Sequence, residues 1–257
     1  MAIAPSTAAL ATDGLLASLD PEQRAAAMLP DGPAQVIAPA GSGKTTTLIA
    51  RLGVLIGRGV VADRIGVVTF NRAAAAELTA RIAARLAPHV PGADAIDVRT
   101  LHAMARQVLI DAGRPVRLAG DRLPLLRAAR RRALAELPGV AGGDHPPPPE
   151  PPDAAALDTI VSAWKVEGRP PPRSAEGALR AFTALMHARG LIDFDDLVVS
   201  AVAALEADPQ LRRRWQGRFS HVCVDEFQDV DTAQLRLIRI LAAPEDNLFV
   251  VGDDDQP

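Results

Sequence analysis

Cysteine, lysine and long apolar runs are scarce in this sequence of 257 residues. Its single cysteine, Cys223, excludes an internal disulfide framework and a metal site built from cysteines. No apolar run reaches the roughly 18 residues of a membrane span, so we expect no contact with a membrane. Residues 1–19 have no basic residue ahead of their apolar stretch, unlike a secretory signal, and the cytoplasm is therefore the expected location.

The charge balance and the types of basic residue restrict the function further. The formal net charge is −3, so any contact with nucleic acid must come from local patches and not from global attraction. Only two of the 28 basic residues are lysines, Lys44 and Lys165. In this arginine-rich background a lysine in a glycine-rich loop indicates a specific role, and Lys44 lies in such a loop.

Short apolar runs alternate with helical patterns at both ends of the chain. This alternation predicts an α/β fold, a parallel sheet with helices on both faces. The predicted strands cover residues 34–38, 65–69, 96–99, 221–224 and 248–251. The helices between them are predicted over 44–56, 72–86, 194–205 and 232–242, with another that begins near residue 102.

The middle of the sequence has a different pattern. Residues 121–137, 153–167 and 174–189 have helical spacing with no strand between them, and two proline clusters, 145–152 and 169–173, separate them. We therefore predict a discontinuous α/β domain over 1–103 and 191–257. An all-helical insertion over 104–190 interrupts it.

A phosphate-binding loop is predicted between the first strand and the first long helix. Residues 38–45 match the P-loop pattern except for alanine at the first position. Gly41 and Gly43 let the backbone approach phosphates, Lys44 would reach the β- and γ-phosphates, and Thr45 would bind Mg²⁺. The alternative is a glycine-rich turn with an exposed lysine. The predicted nucleotide-binding residues of this loop are Ala38, Pro39, Ala40, Gly41, Ser42, Gly43, Lys44, Thr45 and Thr46.

An acidic pair, Asp225 and Glu226, follows the apolar strand 221–224. Asp225 would hold Mg²⁺, directly or through water, and Glu226 would polarise the attacking water. Acidic residues after a strand are often only a solvated turn. Together with the P-loop, however, this pair forms the second half of one site for ATP and Mg²⁺.

These residues and several other segments resemble the motifs of one helicase family. Residues 225–229 are similar to motif II of the UvrD/Rep-like (PcrA-type) superfamily 1 ATP-dependent DNA helicases. In the same order as in that family, the other segments resemble the Q motif (19–24), motif Ia (68–78), motif Ib (99–102), the return to the motor domain (191–197) and motif III (251–256). The resemblance covers residues 19–257, is weakest over 106–190, and implies a RecA-like P-loop NTPase fold.

The resemblance also implies roles for residues outside the loop. Gln23 would contact adenine and Gln256 would sense the γ-phosphate. The catalytic positions it implies are Lys44, Asp225, Glu226, Gln228 and Gln256. Contact with DNA is implied for Phe70, Asn71, Arg72, Thr100 and His102.

Some of these implied DNA contacts have simpler alternatives. A phenylalanine at the end of a buried strand, such as Phe70, more often packs inward, and His102 at a helix start could equally cap or pack. Motif Ia also has no lysine at its customary place, and Pro39 replaces the usual glycine of the loop. The missing lysine leaves the details of strand contact open.

Two arginine groups and two tryptophans are further candidates for DNA contact. Residues 127–132 and 212–214 could follow a phosphate backbone, and Trp164 and Trp215 could stack on bases. The alternatives are solvated arginines on helix faces and tryptophans buried by amphipathic helices.

The leading hypothesis is the first motor domain of a 3′–5′ DNA helicase in repair or recombination, which binds Mg–ATP and single-stranded or duplex DNA. We expect the second motor domain to be absent from these residues, so that the chain binds Mg–ATP, hydrolyses it slowly and unwinds nothing alone, because that domain supplies the catalytic arginines. The alternatives are the N-terminal part of a helicase–nuclease, a nucleotide-switched module, or simple DNA binding. Glu226 favours hydrolysis, since a pure switch needs no water-activating glutamate. The sequence does not identify partner proteins.

Overall fold

The computed structural model of the protein describes residues 14–137 and 149–253, which form two compact units. Within the described residues, the α/β unit comprises 14–104, 205–230 and 234–253, and the helical unit comprises 105–137, 149–204 and 231–233. Among these residues, no helix has both the length and the apolar character that crossing a membrane requires.

The α/β unit is built on a sheet of five parallel strands. The strands are β1 (Ala34–Ile37), β2 (Ile65–Thr69), β3 (Asp97–Thr100), β4 (His221–Val224) and β5 (Leu248–Gly252). Their order across the sheet is β1-β5-β4-β2-β3, and every neighbouring pair is parallel. The predicted α/β fold class is confirmed, and each predicted strand end lies within one residue of the observed end.

The helices also follow the predicted pattern closely. They are α1 (Pro21–Ala27), α2 (Lys44–Gly57), α3 (Arg72–Arg85), α4 (Leu101–Asp111), α5 (Leu123–Ala135), α6 (Ala154–Glu167), α7 (Arg173–Ala188), α8 (Phe194–Ala207), α9 (Pro209–Gln216) and α10 (Thr232–Ala242). The sequence did not predict α1 and α9. Both are short, and each begins with an aspartate cap followed by proline, Asp20–Pro21 and Asp208–Pro209.

The core of the α/β unit lies against the sheet. One side of the sheet contributes Val67 of β2, Cys223 of β4 and Phe249 of β5 to an apolar cluster. The same cluster contains Leu52 of α2 and Ile82 of α3. Every residue of β2 and β4 is buried, so both faces of these central strands are covered, as is usual in parallel sheets. This burial raises the pKa of the Cys223 thiol to about 12, and the residue is a buried apolar group of the sheet.

The helical unit has its own core and a partly buried ionic network. Leu126, Leu157 and Phe182 belong to one apolar cluster formed by α5, α6 and α7. Beside it, the Arg122 guanidinium pairs with Asp158 (2.5 Å) and Asp195 (2.6 Å), which joins the start of α5 to α6 and to the start of α8.

The same network extends to the start of α8 through Lys165. Its ammonium lies 2.9 Å from Asp193 and 2.7 Å from Asp196. These ion pairs hold residues 193–196 in the helical unit, which extends to residue 204, whereas the predicted insertion ends at 190. The assignment of a motor domain and an insertion stays a prediction.

Candidate nucleotide-binding site

The loop between β1 and α2 has the backbone of a phosphate-binding loop. Gly41 and Gly43 have φ values of 80° and 83°, in the left-handed region that favours glycine. Gly43 is the N-cap of α2, so the first amides of that helix point into the loop. The Ser42 hydroxyl is buried and has no hydrogen-bond partner among the described residues. An unsatisfied donor beside free helix amides fits a phosphate oxygen.

Lys44 folds back over this loop. Its Nζ donates to the carbonyls of Ala38 (3.1 Å) and Pro39 (3.4 Å), and it pairs with the carboxylate of Asp253 at the end of β5. The side chain is largely buried, with 9% of its surface exposed. Its positive charge is therefore held at the loop by acceptors that phosphate oxygens could replace.

Gln23 connects α1 to the phosphate loop. Its Oε1 accepts a hydrogen bond from the Asp20 backbone N–H (3.2 Å), completing a capping box, and its Nε2 donates to the Ser42 carbonyl (2.8 Å). A Cβ atom on Gly43 would lie 2.6 Å from that Nε2. Glycine is thus required at 43 by both its φ and its neighbour. Contact between Gln23 and adenine stays a prediction.

The acidic pair lies at the same edge of the sheet as the loop. Asp225 follows β4, is 6% exposed, and its Oδ1 has no hydrogen-bond partner among the described residues. Burial raises the pKa of this carboxyl, and the charge of Glu226 raises it further. A buried carboxylate oxygen with no donor, next to a second carboxylate, fits a divalent cation.

The order of the strands brings the two halves of the predicted site together. β5 alone separates β1 from β4, so the loop and the acidic pair start about 10 Å apart, or two spacings of about 4.8 Å. The charge of Lys44 acts on Asp225 and lowers its pKa, opposing the effect of burial. Thr45 and Thr46 lie in the first turn of α2, on the same side of the sheet.

Gln228 lies between the acidic pair and the end of β5. Its Nε2 donates to Glu226 Oε2 (2.7 Å), and its Oε1 accepts from the backbone N–H of Asp253 (2.9 Å). Asp253 was not among the predicted site residues, although it is the first acidic residue after β5. Periodicity does not determine the order of the strands, so no feature of the sequence placed this residue beside Lys44. Gln256 lies outside the described residues.

The residues with implied DNA contacts lie after β2 and β3. Phe70 is 46% exposed, so inward packing of its ring is the wrong expectation, because β2 ends at Thr69 and the ring belongs to the loop. Asn71 caps α3 through Ala74 N–H (2.8 Å), and Thr100 accepts from the Ala103 N–H (3.1 Å). These are local structural roles. DNA contacts at Phe70, Asn71, Arg72, Thr100 and His102 stay predictions.

The two tryptophans differ in their exposure to solvent. Trp215 is 1% exposed and belongs to the interior, whereas Trp164 is 37% exposed. In the first arginine group, Arg130 donates to the carbonyls of Pro151 (3.1 Å) and Pro152 (3.0 Å), a structural contact.

A parallel sheet with a P-loop after its first strand and an acidic pair after β4, two places along the sheet, defines a P-loop nucleotide-binding domain. A family model described as UvrD/REP helicase N-terminal domain matches residues 19–141 and 149–257. The chain belongs to this family, and the resemblance seen in its motifs is confirmed.

Curated relatives agree with this family. The chain is 33% identical to ATP-dependent DNA helicase UvrD2 of Mycobacterium tuberculosis, over 96% of this chain and 38% of the relative. It is 31% identical to UvrD1 of the same organism, over 95% of this chain and 34% of the relative. Its identity to the Escherichia coli helicase Rep is 28%, over 93% of this chain and 36% of the relative. The chain thus spans well under half the length of these relatives.

Proposed function

We propose that this chain is the ATP-binding motor domain of a 3′–5′ DNA helicase that acts in DNA repair or recombination in the cytoplasm. The α/β unit is then the first RecA-like domain, and the helical unit is its insertion. The names of the relatives support DNA unwinding driven by ATP. The observation that carries the proposal is the strand order, in which only β5 lies between β1, which leads into the phosphate loop, and β4, which leads into Asp225.

The loop and the acidic pair each have a part in this function. Thr45 and Asp225 would hold Mg²⁺, and the ion would supply positive charge against the phosphate oxygens. Lys44 exchanges its contacts with Ala38, Pro39 and Asp253 for phosphate oxygens. Glu226 orients the attacking water and accepts its proton, and Gln228 holds that carboxylate in place.

Single-stranded DNA is proposed to contact the loops after β2 and β3. The exposed Phe70 ring offers a stacking surface, and the neighbouring Arg72 offers a charge for a phosphate. A switch that does not hydrolyse ATP is disfavoured, since Glu226 is held by a specific hydrogen bond next to the metal-binding carboxylate.

Nucleotide binding tests this proposal directly. A fluorescent ATP analogue with Mg²⁺ is titrated into the wild type, Lys44→Ala and Glu226→Gln. Lys44→Ala should bind roughly 10- to 100-fold more weakly, because charge-assisted hydrogen bonds contribute about 1.5–3 kcal/mol. Glu226→Gln should keep its affinity and lose residual hydrolysis. Equal affinity of Lys44→Ala and wild type, with both folded, would refute the proposed site.

A further inference from the structure

The helical unit contains an open groove of about 750 Å³ beside α7. It is formed by the end of α6, the proline loop that follows and the exposed face of α7. Its lining includes Trp164, Pro171, Glu176, Leu179, Arg180 and His187. None of them belongs to the nucleotide site or to the residues with implied DNA contacts.

The indole of Trp164 is the most unusual element of this groove. Tryptophan on an amphipathic helix normally buries its ring, as Trp215 does. Trp164 instead keeps 37% of its surface exposed at the wall of the groove. Leu179, which also lines the groove, is almost fully buried, so the groove combines an apolar surface of the helical core with an accessible aromatic face.

Helix α7 contributes Arg180 and His187 to the side of the groove. Arg173, Arg180 and His187 recur every seven residues along α7, so they lie on one face of the helix about 10 Å apart. Within the described residues, no carboxylate pairs with Arg180 or His187, although Glu176 also lines the groove. Within residues 164–189, Lys165 and Arg169 are paired with carboxylates, which leaves three arginines, Arg173, Arg180 and Arg189, against Glu176.

We propose that this groove binds single-stranded DNA, with one base stacked on Trp164 and phosphates close to Arg180 and His187. An exposed aromatic face beside an unpaired arginine is a combination that binds single strands without sequence preference. A purely apolar protein segment would leave Arg180 without a partner, and three arginines against one glutamate along this part of the chain favour a polyanion. The choice of DNA as the polymer rests on the proposed function, whereas the site uses residues of the helical unit alone.

The amino-acid composition allows a direct optical test. The chain has two tryptophans and no tyrosine, and Trp215 is buried, so Trp164 is its accessible emitter. A fluorescein-labelled oligothymidine of about 16 nucleotides is followed by anisotropy, and the unlabelled oligonucleotide by tryptophan emission. We expect saturable quenching of Trp164 with the same midpoint as the anisotropy change. The Trp215→Phe variant isolates this signal, and the wild type serves if that variant does not fold.

Matched variants separate stacking from packing and charge. Trp164→Phe should retain most of the affinity, whereas Trp164→Leu should lose roughly fivefold or more, because leucine fills space but cannot stack. Arg180→Gln should weaken binding and reduce its salt dependence, and Arg114→Gln, an exposed arginine outside the groove, should change neither.

Several results would overturn the proposal. The first is an anisotropy titration that shows no binding of the oligonucleotide. The second is binding that leaves the emission of Trp164 unchanged and that is as tight in Trp164→Leu as in the wild type. Quenching by the oligonucleotide that is insensitive to salt and to Arg180→Gln would show that no phosphate lies close to Arg180 and would contradict the proposed site. Lys44→Ala should leave the quenching unchanged, so a failed nucleotide site and a failed groove give different results.

Discussion

Gln228 donates a hydrogen bond from Nε2 to Glu226 Oε2 across 2.7 Å, and this contact fixes the carboxylate that we propose orients water. The other end of the same amide accepts from the backbone N–H of Asp253. Because Asp253 also pairs with Lys44, a continuous set of polar contacts joins the acidic pair to the phosphate loop. A nucleotide that draws Lys44 away from Asp253 therefore changes the contacts of Asp253. The backbone N–H of Asp253 holds the Gln228 amide, and that amide in turn holds the Glu226 carboxylate.

Replacing Gln228 should affect hydrolysis more than binding. In Gln228→Ala the Glu226 carboxylate loses its donor, and we expect single-turnover hydrolysis to fall roughly tenfold, a loss of about 1.4 kcal/mol. Affinity for Mg–ATP should change less than about threefold, since among the described residues Gln228 forms no hydrogen bond with the side chains of the loop or of Asp225. Gln210→Ala, an exposed glutamine of α9, is the matched control. Equal losses of affinity and rate would show a structural role instead.

Asp225→Asn should stabilise the nucleotide-free protein while abolishing the effect of Mg²⁺ on ATP binding. The pKa of Asp225 is raised by burial and by Glu226, so the folded state binds its proton more tightly than the unfolded state does. The stability linked to this proton is present below the ordinary aspartate pKa of about 3.9 and is lost as pH rises through the raised value. Melting temperatures between pH 3.5 and 7 measure this effect.

The informative quantity is the difference in melting temperature between Asp225→Asn and the wild type at each pH. We expect the asparagine variant to gain stability relative to the wild type as pH rises, and chelation of Mg²⁺ to have no effect on its ATP affinity. A variant that becomes less stable than the wild type at pH 7 in the absence of metal would contradict this account of the Asp225 carboxylate.

Lys165→Gln should destabilise the helical unit in a pH-dependent way. Burial alone would raise the pKa of Asp193, but the hydrogen bond and charge of Lys165 outweigh it and lower that pKa. The stability that the ionised Asp193 contributes is present above the ordinary aspartate pKa and is lost as pH falls through the lowered pKa of Asp193. We expect a loss of about 3 kcal/mol at pH 7, which shrinks towards pH 3.

Urea unfolding at the two pH values measures this loss. The control is Arg169→Gln, which breaks the exposed pair with Glu167 and should cost less than about 1 kcal/mol. If Lys165→Gln costs no more than that control at pH 7, the partly buried network does not stabilise the unit as proposed.

Much of the fold could be predicted because its signals are local. β2 and β4 are continuous apolar runs, and the glycines at 41 and 43 mark a turn that opens a helix. The caps of α3 and α6, Asn71 and Asp153, also lie next to the helices they begin. Residues close in sequence determine each of these features, so periodicity and turn chemistry are sufficient to find them.

The remaining features depend on contacts between distant parts of the chain. The link from Gln228 to Asp253 follows from the adjacency of β4 and β5, which periodicity does not encode. Arg51 is another example: it is 2% exposed, and it donates to the carbonyls of Ala27 (3.3 Å) and Pro30 (3.1 Å). An arginine on an amphipathic helix normally predicts a solvated position, and only the tertiary structure brings these carbonyls within reach.

The central claim is that Thr45 and Asp225 hold one Mg²⁺ on one nucleotide. A double-mutant cycle of Thr45→Val and Asp225→Asn, measured as ATP affinity with Mg²⁺ and again with a chelator, tests it most directly. With Mg²⁺ we predict that the two losses are non-additive by about 1 kcal/mol or more, and that this coupling disappears when the metal is removed. Strictly additive losses with Mg²⁺, in folded proteins, would show that the two side chains do not share an ion and would contradict the account.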